Sequence, residues 1–80
     1  MKRILVIDDE EFTLSALEAI LRILKVNVDD VVDFAMSGEE AIDMVKKMHL
    51  NGLGYSLILT DIQMPGLDGI ETAKLIVEYL

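Results

Sequence analysis

Runs of apolar residues alternate along the chain with stretches whose apolar positions recur every three or four residues. Ile4-Leu5-Val6-Ile7 is an unbroken aliphatic run without polar alternation, the pattern of a strand covered on both faces. From Phe12 to Leu24 the period lengthens: Leu14, Leu17, Leu21 and Leu24, with Ile20 beside them, define a helical stripe. Val26 to Asp30 reads as a polar connection, and Val31, Val32, Phe34 and Ala35 as a short strand interrupted by Asp33. Ser37 followed by Glu40 matches a capping box, which starts a second helix near Gly38 with the stripe Ala41, Ile42, Val45 and Met48. Asn51 to Gly54 is a loop, and Tyr55 to Thr60 predicts a third strand. A turn-rich loop runs from Asp61 to Asp68. Asp68 and Glu71 then cap a last helix whose apolar face is Ile70, Ala73, Val77 and Leu80.

Alternating strands and helices predict a parallel sheet with right-handed crossovers and one α/β domain over residues 1–80. Three βα units are few for such a sheet. A five-stranded doubly wound domain of order 2-1-3-4-5 would need about 130 residues. The chain therefore reads as the first three units of a larger fold, with strand order 2-1-3.

Composition removes several function classes. The chain has no cysteine, so disulfides, thiolate chemistry and Cys-based zinc sites are out. Fifteen acids against seven bases give a net charge of −8, which argues against nucleic-acid binding and favours a cationic partner or a divalent metal. The basic, apolar N-terminus stops at Asp8, too short for a signal peptide, and no apolar run is long enough to span a membrane. A soluble cytoplasmic protein is the expectation.

Ligands of parallel α/β sheets bind at the carboxyl ends of the strands, beside the switch point in strand order. Those ends carry Asp8-Asp9-Glu10 after the first strand and Asp61 after the third. With the two strands adjacent, their carboxylates converge and repel one another, and a hard cation with oxygen ligands relieves the strain. Mg²⁺ is the expected ion. Each acid alone reads more simply as a helix-entry residue favoured by the dipole. Their joint placement is what points to a site.

Ile4-Leu5-Val6-Ile7-Asp8-Asp9-Glu10, Ala35-Met36-Ser37-Gly38-Glu39-Glu40-Ala41 and Leu57 through Gly69 together resemble the receiver domain of two-component response regulators, over residues 2–80. The resemblance implies a flavodoxin-like fold cut to (βα)3. It implies that Asp61 is the phosphoacceptor, that Asp9 ligates Mg²⁺ directly, that Asp8 acts through a water and that Gln63 offers its backbone carbonyl. A histidine kinase or phosphotransfer protein is the implied partner, and no enzymatic activity beyond accepting and losing phosphate is implied. The family also places a Ser or Thr after a fourth strand and a Lys after a fifth. Neither strand is present in the pattern here, so impaired phosphorylation is expected, and Thr60, Lys2 and Arg3 are no substitutes.

Other readings compete. The chain could be an interaction module that binds through its first helix without phosphorylation. A phosphohydrolase would need an acid two residues after Asp61, and Gln63 cannot serve. The edge of the third strand, Leu57-Ile58-Leu59, invites pairing with a second copy. His49 reads as a residue at a helix C-terminus, Gly52 and Gly54 as a loop, and Met36, Met44 and Met48 as core filler.

Overall fold

The computed structural model describes residues 3–79. β1 (Ile4–Ile7) is followed by α1 (Glu11–Ile23), a one-turn helix α2 (Val28–Val31), β2 (Val32–Ala35) and α3 (Gly38–Leu50). β3 (Leu57–Thr60) and α4 (Gly69–Val77) complete the order. The sheet is parallel with order β2-β1-β3, as the pattern predicts. Ile4 stands opposite both Val32 and Leu57, and Ile7 opposite both Ala35 and Thr60.

Strand alternation sends side chains to two separate cores. Leu5 and Ile7 join Ala35, Ala41, Val45, Met64 and Ile76 beneath α3 and α4. Val6 joins Leu14, Val28 and Val32 beneath α1 and α2 on the other face. Central β1 is covered on both sides, which is why its sequence shows no polar alternation. β3 is an edge, and its Leu57 and Leu59 are nearly half exposed on the α1 face.

Three elements differ from expectation. The polar connection after α1 contains a helical turn, because Val28 is buried against the α1 face and pulls its neighbours into α2. Arg22 steadies this turn by donating to Asp29 at 2.9 Å, and Asn27 donates to Asp30 at 2.6 Å. β3 begins at Leu57 rather than Tyr55, since Tyr55 leaves the strand and donates its hydroxyl to Asp33 at 2.6 Å. Burial and that carboxylate push the Tyr55 hydroxyl upward from its usual range.

α4 buries a different face from the one expected. Gly69, Thr72 and Ile76 point inward, while Ile70, Ala73 and Val77 are exposed and Leu80 lies outside the described residues. Contact with α3 and the core decides the face: Ile76 enters the core beneath α3, and Tyr79 packs edge-on against His49 at 5.7 Å. On α1, Leu14, Leu17 and Leu21 pack as the stripe requires, but Ile20 and Leu24 are exposed. Met44 and Met48 are partly buried, whereas Met36 is exposed; Met64 is the methionine that reaches the core. The capping expectations hold, with Glu40 donating its amide to Ser37 Oγ at 3.0 Å and Glu71 to Asp68 Oδ1 at 2.8 Å.

Candidate functional site

The carboxyl ends of the strands form one edge of the sheet, and hydrogen bonds fix the acids on it. Asp8 donates its amide to the Ala35 carbonyl at 3.0 Å, which anchors it to β2. Asp61 donates to the Ile7 carbonyl, also at 3.0 Å, which anchors it to β1. The register sets Asp61 one residue beyond the Ile7–Thr60 pair, beside the chain as it leaves β1.

The outcome is a cluster of Asp8, Asp9 and Asp61 whose carboxylate oxygens lie within 4.8 Å of one another. Asp8 and Asp9 are half-buried and Asp61 is exposed. Asp8 spends one oxygen on the Glu10 amide, which donates to it at 2.9 Å and tightens the entry into α1. Oxygens sharing an octahedral Mg²⁺ lie about 3 to 4 Å apart, the scale of this cluster, and the donor set is oxygen alone. The residues present fit a hard divalent cation.

The loop after Asp61 is held as closely as the acid. Thr60 donates its hydroxyl to the Asp61 carbonyl at 3.0 Å, and Gly69 donates its amide to the Ile62 carbonyl at 2.8 Å. Gly69 is required there: a Cβ at this position would run into the Asp61 carbonyl. The Gln63 carbonyl accepts no hydrogen bond from the described residues, which leaves it available to an ion.

The electrostatics are one-signed. Asp8-Asp9-Glu10-Glu11, Glu39-Glu40, Asp61 and Asp68 occupy the segments after the three strands, and no Lys or Arg lies in them. A groove of about 300 Å³ opens beside the cluster, with Asp8, Thr60 and Asp61 at its polar end and Val6, Leu14 and Leu59 along its apolar wall.

Comparison with known proteins decides the family. The model of the response regulator receiver domain matches residues 4–79. The chain belongs to that family. Among receiver-containing relatives, the osmosensing histidine protein kinase SLN1 of Saccharomyces cerevisiae is 35% identical over 74 residues, covering 92% of this chain and 6% of the kinase. The chemotaxis protein CheY of Halobacterium salinarum is 35% identical over 78 residues, covering 98% of this chain and 58% of that protein. A mutant receiver domain of the histidine kinase CKI1 from Arabidopsis thaliana superposes with a TM-score of 0.79 at 28% identity, covering 98% of this chain and 55% of that one. This receiver chain thus spans little more than half of the latter two and a small fraction of the first.

Two contacts escape sequence reading, one on the loop after Asp61 and one remote from the acidic edge. Glu39, in the first turn of α3, accepts the Leu67 amide at 3.2 Å across 28 positions, and its only local signal is that of a helix-entry acid. Tyr55 and Asp33 meet beneath β1, far from the acidic edge. A polar residue inside a strand was the signal for that pair, but it names no partner.

Proposed function

We propose that this receiver chain accepts a phosphoryl group on Asp61 and holds Mg²⁺ through Asp8, Asp9, Asp61 and the Gln63 backbone carbonyl. The observation that carries the reading is the meeting of three carboxylates from two strands at the carboxyl edge of the sheet. The donor is a phosphohistidine on a histidine kinase or phosphotransfer protein, and the setting is the cytoplasm.

Asp61 Oδ attacks phosphorus as the P–N bond to the donor imidazole breaks. The imidazole nitrogen keeps the electron pair, and an acyl phosphate forms on Asp61. Water later attacks phosphorus, breaks that bond and leaves inorganic phosphate and the free Asp61 carboxylate. Exposure of Asp61 gives an incoming donor its access. Bound Mg²⁺ supplies positive charge against the carboxylates and the phosphoryl oxygens. No lysine or arginine lies in the segments that follow the three strands, so among these residues the positive charge would be the ion's. The chain's own chemistry is confined to accepting and losing phosphate.

NMR titration with Mg²⁺ and then beryllofluoride, a phosphoryl mimic, tests the reading. Saturable shifts at Asp9, Asp61 and Gln63 are expected, and Asp61→Ala should lose the beryllofluoride response. A folded sample that responds to neither would refute it.

A second reading has its own support. The outward side of α1 exposes Phe12 at 84%, Ile23 at 76% and Ile20 at 52%, an apolar stripe suited to docking a partner helix without phosphorylation. Partner binding unchanged in Asp61→Ala would favour it.

The open β3 edge also leads us to expect self-association, with Leu57 and Leu59 covered by a second copy. Sedimentation velocity should show a dimer that grows with concentration and is lost on Leu57→Lys with Leu59→Lys. A wild-type monomer at all concentrations would sink that expectation.

A further inference from the structure

The loop from Asp61 to Asp68 must present an acceptor and a carbonyl to the same ion, yet it contains no secondary structure of its own. Its start is tied to β1 through the Asp61 amide, and its base is closed by the Gly69 amide on the Ile62 carbonyl. Met64 sinks into the core and fixes the middle. What remains is the far half, Pro65-Gly66-Leu67, which sits on the surface.

That half is met by the first turn of α3. Gly38 is buried against Leu67 and Thr72, so the helix start touches both the loop and α4. Glu39 reaches over the loop and accepts the Leu67 amide at 3.2 Å. A second observation shows that the carboxylate is aimed there. A Cβ on Gly66 would stand 2.9 Å from Glu39 Oε2 and 3.3 Å from Oε1. Gly66 also has φ +74, which L-residues rarely adopt. The glycine both makes the turn and leaves room for the acid.

An acid placed only for the helix dipole would have no reason to cross to another segment. At 3.2 Å the contact is longer than a strong charge-assisted pair and counts as one ordinary hydrogen bond, which any side-chain oxygen of the right reach can accept.

We propose that Glu39 is a positioning residue, a clamp on the loop 61–68 that holds the Gln63 carbonyl and Asp61 in place for metal and phosphoryl group. The inference rests on the phosphoacceptor reading above. It predicts that the acceptor function of Glu39 matters and its charge does not, because glutamine can accept the same amide.

Mg²⁺ titration and amide hydrogen exchange on wild type, Glu39→Ala and Glu39→Gln test it. Glu39→Ala should weaken Mg²⁺ binding by about three- to tenfold, the effect of one hydrogen bond, and speed exchange at Leu67 and Gly69. Glu39→Gln should restore both. Wild-type affinity in Glu39→Ala would overturn the clamp, as would a glutamine variant no better than alanine. Uniformly faster exchange throughout the chain would mark a merely stabilising residue and overturn it too. A wild-type chain indifferent to Mg²⁺ would instead bring down the phosphoacceptor reading, and the positioning role with it.

Discussion

Mg²⁺ at ten times its dissociation constant should raise the melting temperature of the wild-type chain by about 6–11 °C, and Asp9→Asn should abolish that rise. The first figure follows from mass action. A ligand at that excess stabilises the folded state by about 1.4 kcal/mol, and each kcal/mol moves the midpoint of an 80-residue domain by about 4–8 °C. Asparagine keeps the size of Asp9 and one acceptor oxygen but removes the charge that draws the ion. It also removes two of the three repulsions in the cluster, each worth about 1 kcal/mol at this spacing in water. The metal-free variant should therefore melt above the metal-free wild type. Thermal melts followed by circular dichroism, with KCl matching the ionic strength of the Mg²⁺ samples, measure both effects. A wild-type midpoint that ignores Mg²⁺ at matched ionic strength would exclude a metal site at the acidic edge.

Leu5→Ala is expected to cost about 2–5 kcal/mol. Leu5 is fully buried in the central strand, with the α3 helix and Ile76 above it and β2 and β3 on either side. Strands paired on both sides leave little freedom for the sheet to collapse into the space, which places the cost toward the upper part of that range. An 80-residue domain has in total about 4–12 kcal/mol of stability, so the variant should give up a large share of it. Leu59→Ala removes the same atoms from a residue 45% exposed and should cost far less. Urea titration should show a large fall in midpoint for Leu5→Ala with little change in slope, and a small one for Leu59→Ala. Equal falls would mean that β1 is not the covered strand.

The frame of the fold was legible because it rests on local patterns. The apolar run of β1 and the stripes of α1 and α3 can each be read from a few neighbouring residues, and the acidic edge follows from where those runs stop. Choices made by contact between distant segments were not legible. Residues 69–79 are apolar enough to offer two helical stripes, and only the approach of α3 selects Thr72 and Ile76 over Ile70, Ala73 and Val77. Tyr55 reads as a strand residue until Asp33 draws it away. Glu39 reads as a helix-entry acid until the loop 61–68 is folded against it. At the site itself, the carboxylates were visible in the sequence and the group that braces their loop was not.

The bond between Tyr55 and Asp33 gives the molecule a built-in optical gauge. The chain has two tyrosines and no tryptophan, so its near-ultraviolet signal comes from rings whose surroundings are known. Tyr55 reports the amino-terminal side of the sheet through its carboxylate partner, and Tyr79 reports the join of α3 and α4 through His49 and Lys46. Neither ring touches the acidic edge. Ultraviolet absorbance thus follows the scaffold while staying blind to the cluster, and a change at Asp8, Asp9 and Asp61 that leaves the tyrosine bands still can be assigned to the site without a label.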